Sequence, residues 1–402
     1  MTLLSVSEAL ARILDTARLA PIEKVKLADA LGRVLAKPVV AKRDQPPFVA
    51  SAMDGYAVRR SDTALLPAKL QLMGMSAAGH GFKGTLKAGK TIRILTGAPL
   101  PRGADTVVIQ ENTRVQNDVI VVLEPTALGR NIRAKGLDFE SGAQLVSVGV
   151  KLGARDIGLA ASANAAFIRV RKKPLVAIFS TGDELVVPGQ TARADQITSS
   201  NAAALAAFVK SCGADVLDLG IIRDDLRATM AAIKKAACAD ILITTGGASV
   251  GDHDYVQAAL KKSGIKIDFW KIAMRPGKPF MFGTKAKLRV LGLPGNPVAA
   301  MVCAQLFLKP LIETMLGLHL PAHPQLARLT SDLPANDLRQ DYLRAALHVA
   351  TDGARSVTPH PKQDSSMQRV MREAGCLVIR PPFAPEVKAG DLVEILLFPE
   401  GA

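Results

Sequence analysis

The side chains able to do chemistry in this chain lie in polar, glycine-bearing loops. Carboxylates occur at Asp54, Asp138, Asp183, Glu184, Asp252 and Asp254, hydroxyls at Thr96 and Ser249, and cations at Arg275 and Lys278. Carboxylates of this kind hold Mg²⁺, with substrate phosphates completing its shell. Cations beside glycine loops hold oxyanions. Together they point to metal-assisted chemistry on a phosphorylated or oxyanionic substrate. Other chemistries lack their residues. There is no Ser-His-Asp order, histidines number only six, zinc-ligand spacing is absent, and no Walker A lysine–serine pair occurs.

The elements that must position these groups centre on Asp240-Ile-Leu-Ile-Thr-Thr-Gly-Gly-Ala-Ser-Val-Gly-Asp-His-Asp254. Its aliphatic run reads as a buried parallel strand, and the small-residue loop after it offers backbone N–H groups at the carboxyl edge of a sheet. Strand and helix signals alternate from residue 174 to about 320, which predicts a doubly wound parallel sheet. Within it, Asn201 is the expected N-cap of a helix over 202–211, Asp224 or Asp225 opens the next helix, and Asn296 caps a long helix with Pro297 at its first position. Polar, glycine-rich loops follow Phe179, Thr244 and Leu293. If their strands are neighbours, the loops converge on one site.

The flanking regions read differently. Residues 5–17 form an amphipathic helix, residues 28–35 have helical spacing, and Pro38 stops them. From 58 to about 121, short strands with glycine turns predict a small β domain. Past a linker holding Pro321 and Pro324, short strands return to the end. The expected division is an elongated linker domain over 1–45 and 140–173, a small β domain over 46–139, an α/β domain over 174–322 and a β-barrel-like domain over 323–402.

Composition narrows the class. The 402 residues carry a net charge of +15, with aromatics at only 4%. That charge suits nucleic acid, acidic membrane surfaces or small phosphorylated ligands. The tightest basic cluster is Arg169, Arg171, Lys172 and Lys173, read as having no aromatic platform beside it, which argues against single-strand stacking. Cys212, Cys238, Cys303 and Cys376 are far apart and read as buried thiols of a reducing compartment. No stretch reads as membrane-spanning: the longest candidate, 297–308, is too short and contains Gln305. A cytoplasmic protein that binds neither nucleic acid nor membrane is expected.

Six motifs in order add a resemblance. Ser51-Ala-Met-Asp-Gly-Tyr-Ala57, Thr96-Gly-Ala-Pro99, Ser180-Thr-Gly-Asp-Glu184, Thr245-Gly-Gly-Ala-Ser-Val-Gly251, Pro276-Gly-Lys-Pro279 and Leu293-Pro-Gly-Asn-Pro297 together resemble the molybdopterin molybdotransferase family, of the MoeA type and related to the gephyrin E domain. The resemblance extends over essentially the whole chain. It implies insertion of molybdate into adenylylated molybdopterin, with release of AMP and a need for Mg²⁺. It also implies a homodimer, with molybdopterin adenylyltransferase and apo-molybdoenzymes as partners.

The resemblance implies roles residue by residue. Asp54, Thr96, Asp138, Glu184, Asp254 and Lys278 would be catalytic, with Glu184 and Asp254 also handling the metal. Gly246, Gly247 and Ser249 would form the nucleotide or pterin phosphate loop, and Arg275 would lie near the molybdate. Pro294 and Pro297 would shape the neighbouring turn, and Ser365 and Ser366 would be the serine pair of the last domain. The chain departs from the family pattern at Leu137, where a glutamate is usual, and at Ser199, where an acidic or amide residue is common. Two alternatives accompany this reading: the related adenylyltransferase, typically a single domain with Thr-Gly-Gly-Thr-Gly, and a non-catalytic pterin-binding scaffold.

Overall fold

The computed structural model describes residues 3–246, 255–318 and 325–398. The chain divides into two compact units. One takes in Met1–Glu23, Gly32–Ala36 and Val170–Ala402, the other Lys24–Leu31 and Lys37–Arg169.

The first unit holds a six-stranded sheet in the order Asp215–Ile222, Leu175–Thr181, Ile241–Thr245, Leu288–Leu293, Met281–Lys285, Lys266–Trp270. The first four strands are parallel, as expected of buried aliphatic runs joined through helices. The last two run antiparallel, so the sheet is mixed at one edge. Sequence reading misses Met281–Lys285. Its Gly283 breaks the alternation, yet a Cβ there would lie 2.9 Å from the Lys266 carbonyl oxygen of the next strand.

Helices cover both faces. On one, Val6–Asp15, Asn201–Ser211 and the long helix beginning at Pro297 bury Ile13, Leu205, Phe208, Val302 and Phe307 against Ile178, Ile243 and Leu291. On the other, Leu226–Lys235 and Tyr255–Lys262 pack Ile233 and Leu260 on Phe179 and Leu242. Asp225 caps its helix by accepting from the Ala228 N–H. The long helix does not stop at residue 308. A π turn over Ala304–Leu308 carries it into Lys309–Leu316, absorbing Pro310, so Pro297–Leu316 spans 20 residues at a mean hydropathy of 1.4. By length and composition it could therefore cross a membrane, contrary to the expectation of a shorter segment. In this fold 67% of its apolar window is buried, which marks a core helix.

The same unit contains a second sheet, in the order Met274–Arg275, Gln340–Val349, Arg355–Pro359, Gln325–Leu329, Leu392–Leu397, Cys376–Arg380. Cys376–Arg380 also pairs with Gln340–Val349, which closes five strands into a small barrel around Ala345, Val357, Val378 and Ile395.

The second unit carries a six-stranded sheet in the order Thr106–Ile109, Gly55–Val58, Lys90–Ile94, Ala68–Ser76, Val119–Val122, Thr113–Gln116. The expected helix over 28–35 is absent. Only a 3₁₀ turn, Leu27–Asp29, forms, and Gly32 at φ +73° breaks the pattern. Two smaller expectations also fail. Cys238 is exposed, unlike the other three cysteines. The basic cluster does have an aromatic neighbour: Phe167 is half exposed, with Lys24 Nζ 4.4 Å from its ring centroid.

Candidate active site

The three polar loops converge because their strands are adjacent. Ser180 pairs with Thr245, and Thr245 with Leu293, so the chain leaves neighbouring strands at one level. The Ser180 and Thr245 hydroxyls lie 2.9 Å apart. Gly246 turns away from the central strand at φ +86°, with its Cα so close that a Cβ would lie 2.4 Å from the Thr181 carbonyl oxygen and 3.0 Å from Thr181 Oγ1. Only glycine allows both features. Thr181 Oγ1 is buried with no partner among the described residues, an acceptor and donor left at the floor of the loops.

These loops line a cavity of about 480 Å³. Of the residues expected from sequence, Glu184, Gly246, Pro297 and Ser366 line it. Pro294 is buried at the end of its strand. Ser365 sits one residue from the lining: its hydroxyl accepts from Asn296 Nδ2 at 2.8 Å and its carbonyl from the Val298 N–H at 3.0 Å. These bonds tie the barrel to the start of the long helix. Ser366 donates to Asp364 Oδ1 at 2.6 Å, and its N–H does so at 2.8 Å, which together hold the Asp364 carboxyl below its ordinary range.

Sequence reasoning missed three contributors. Asn201 is the first helical residue rather than the cap, which is Ser200. Its amide donates instead to the Gly295 carbonyl at 2.7 Å. Gln368 donates to Ser200 Oγ at 2.5 Å and lines the same cavity. Asn296 is the cap residue without a side-chain cap bond, and its Nδ2 donates to Ser365 Oγ. No local signal announces contacts over such sequence distances.

Acidic groups gather near Glu184. The Asp224 N–H donates to Asp183 Oδ1 at 3.4 Å. Burial raises the Asp224 carboxyl, opposed by a hydrogen bond from the Asp183 backbone and reinforced by the charges of Asp183 and Glu184. Glu184 itself is exposed. Among the described residues no group of three His, Cys, Asp or Glu forms a metal cage. Asp254, Gly247 and Ser249 lie outside the described residues.

Other expected residues are placed elsewhere. Lys278 is exposed on its loop and Arg275 is engaged by the barrel; neither lines the cavity. Arg275 grips Asp341 with Nε at 2.8 Å and Nη2 at 2.6 Å, and this pairing raises its pKa despite burial. In the second unit, Asp54 Oδ1 accepts from the Thr96 N–H at 2.6 Å and from its hydroxyl at 2.8 Å. The backbone bond first, then the hydroxyl, and Arg93 more weakly, hold the Asp54 carboxyl below its ordinary range. Gly55 next to it lies in a strand, where a Cβ would strike the Val108 carbonyl oxygen at 2.0 Å. Asp138 is exposed, its N–H bound to the Gln45 carbonyl.

Comparison with known proteins agrees with this geometry. Residues 4–164 match the MoeA N-terminal region (domains I and II), residues 177–314 a probable molybdopterin binding domain, and residues 326–398 the MoeA C-terminal region (domain IV). A molybdopterin molybdenumtransferase of Nostoc sp. is 41% identical over 337 residues, covering 81% of this chain and 77% of the relative. One from Bacillus subtilis is 34% identical over 410 residues, covering 99% and 95%. The crystal structure of a molybdopterin biosynthesis MoeA protein from Pyrococcus horikosii aligns over 99% of this chain and 100% of that one, at 30% identity and a TM-score of 0.86. With relatives above 30% identity along nearly its full length and all three regions matched in order, the chain belongs to the MoeA family of molybdopterin molybdenumtransferases.

Proposed function

We propose that the chain inserts molybdenum, taken as molybdate, into molybdopterin, with adenylylated molybdopterin as the substrate and AMP released. The observation that carries this reading is the convergence of three strand-end loops with Ser366 on one polar cavity in a chain of this family. Loop amides after the central strand would cradle phosphate, with Gly246, Gly247 and Ser249 as the cradle. Thr181 Oγ1, unpartnered among the described residues, is available to a bound oxyanion. Lys278 and Arg275 would steer molybdate, and Ser365 and Ser366 would meet it from the barrel. Pro294 and Pro297 would fix the turn between them. Asp54, held ionised by Thr96, and Asp138 would complete the acid–base set.

Mg²⁺ fits a site with few protein ligands. It is commonly bound through one or two carboxylates plus substrate phosphates, and Glu184, exposed on the cavity wall, with Asp254 would supply them. When bound it would neutralise charge on the phosphates as AMP leaves. The chain is further proposed to act as a cytoplasmic homodimer that receives substrate from molybdopterin adenylyltransferase and delivers product to apo-molybdoenzymes, with the four-domain division given above.

The test is reconstitution with purified protein, adenylylated molybdopterin, Mg²⁺ and molybdate, reading AMP release and activation of an apo-molybdoenzyme. Molybdate-dependent AMP release supports the reading. Binding of the adenylylated pterin without turnover would favour a scaffold, and no binding would overturn it.

A further inference from the structure

A second concave site lies in the other unit and is lined by no residue given a role above. A cavity of about 360 Å³ is lined by Lys24, Lys37, Lys42 and Arg169 around Val40 and Phe167. The four cations come from three separate segments, so the sequence shows only one of them as part of a basic cluster. All four are exposed, and no carboxylate lines the cavity. None forms an ion pair among the described residues; those of this unit are Arg59 with Asp62 and Lys135 with Asp44. Four like charges held around one hollow repel one another, and no carboxylate among the lining residues offsets them.

The floor is the second observation. Phe167 is 50% exposed and Val40 44%, with Val39 and Ile168 buried beneath them. Strand alternation explains the pairing of ring and charge: Phe167 and Arg169 face outward while Ile168 faces the core. Lys24 already lies over the Phe167 ring at 4.4 Å. A nucleic-acid track needs open aromatic faces and a line of cations along a backbone. Here one partly covered ring and four cations around one hollow suit a short acidic segment with an apolar side chain between its carboxylates.

We infer that this cavity is a docking site for an acidic, apolar-anchored segment of a partner protein. The attraction is electrostatic at the rim and apolar at the floor, so binding is steered by charge and weakens with salt.

The test uses the full chain and a labelled octapeptide, Glu-Glu-Asp-Leu-Phe-Asp-Glu-Glu, followed by fluorescence anisotropy. Binding is expected to weaken at least about tenfold in Lys37→Glu/Lys42→Glu/Arg169→Glu, and about threefold in Phe167→Ser. The neutral variant Lys37→Gln/Lys42→Gln/Arg169→Gln serves if charge reversal disturbs folding. Thermal melting and AMP release should match the unmodified chain in each, since none of these residues belongs to the proposed machinery. Equal peptide binding by the variants overturns the inference. So does oligothymidylate binding more tightly than the peptide through the same residues, which would make the site a nucleic-acid contact. A variant that turns a dimer into a monomer also overturns it, because a second copy would then be the occupant.

Discussion

Gly246→Ala tests whether the loop geometry at the central strand is as described. Two costs follow from the structure. At φ +86°, an L side chain is strained by about 1–2 kcal/mol. The new Cβ would also stand 2.4 Å from the Thr181 carbonyl oxygen, and that oxygen belongs to a strand locked by pairing on both sides. Forcing such an overlap typically costs about 1–3 kcal/mol. The sum is roughly 2–5 kcal/mol, or a fall in melting temperature of roughly 4–20 °C for an α/β domain of this size. Gly295→Ala is the control. Its Cβ would meet nothing nearer than Gly246 Cα at 3.7 Å, an ordinary contact, so its cost should stay within about 0.5 kcal/mol. Circular dichroism melts of both variants, with AMP release alongside, decide the matter. If Gly246→Ala melts with the unmodified chain and turns over normally, the loop does not leave the strand in this conformation.

Three further outcomes are expected. The Asp54 carboxyl is held below its ordinary range, so its contribution to stability is present above the unfolded value, near pH 4, and is lost as pH falls through the lower folded value; urea midpoints between pH 6 and 3 should therefore fall less steeply in Asp54→Asn, and identical slopes would refute it. Arg275→Leu leaves the largely buried Asp341 without its fork, at a cost of about 1–3 kcal/mol once the half-exposed arginine is allowed for; Arg275→Leu/Asp341→Leu should recover part of it, whereas lost turnover at full stability would give Arg275 to the substrate alone. Glu184→Gln should lower turnover by about 100-fold, raise the Mg²⁺ needed for half-maximal rate and leave the melt unchanged; full activity would remove Glu184 from the site.

What the sequence made legible follows from how each element is specified. Leu175–Thr181 and Ile241–Thr245 announce themselves because a strand buried on both faces must be continuously apolar. Met281–Lys285 and Gly55–Val58 do not, because each contains a glycine demanded by a neighbouring backbone, and locally that glycine reads as a turn. The helical spacing of residues 28–35 misleads for the converse reason: Ala30, Val34 and Leu35 are all buried, but a 3₁₀ turn and the left-handed Gly32 deliver them to the core without a helix.

The site divides along the same line. Residue types in glycine loops are local properties and led to Glu184, the resemblance added Gly246, Pro297 and Ser366, and the fold brings all four to one cavity. Partner choice is not local. Asn201 reads as a helix cap from its neighbours, yet it sits one position inside the helix and its Nδ2 donates to the Gly295 carbonyl, 94 residues away. Arg275 has the charge expected of an oxyanion ligand, yet its fork is filled by Asp341, 66 residues away. A guanidinium so engaged meets a substrate only if that substrate outcompetes a bidentate carboxylate already in place, or if one face of the arginine stays free while Asp341 orients it. These alternatives differ in a measurable way. Under competition, Asp341→Asn would tighten molybdate binding by freeing the fork. Under orientation, the same change would weaken it, because the arginine loses the partner that aims it.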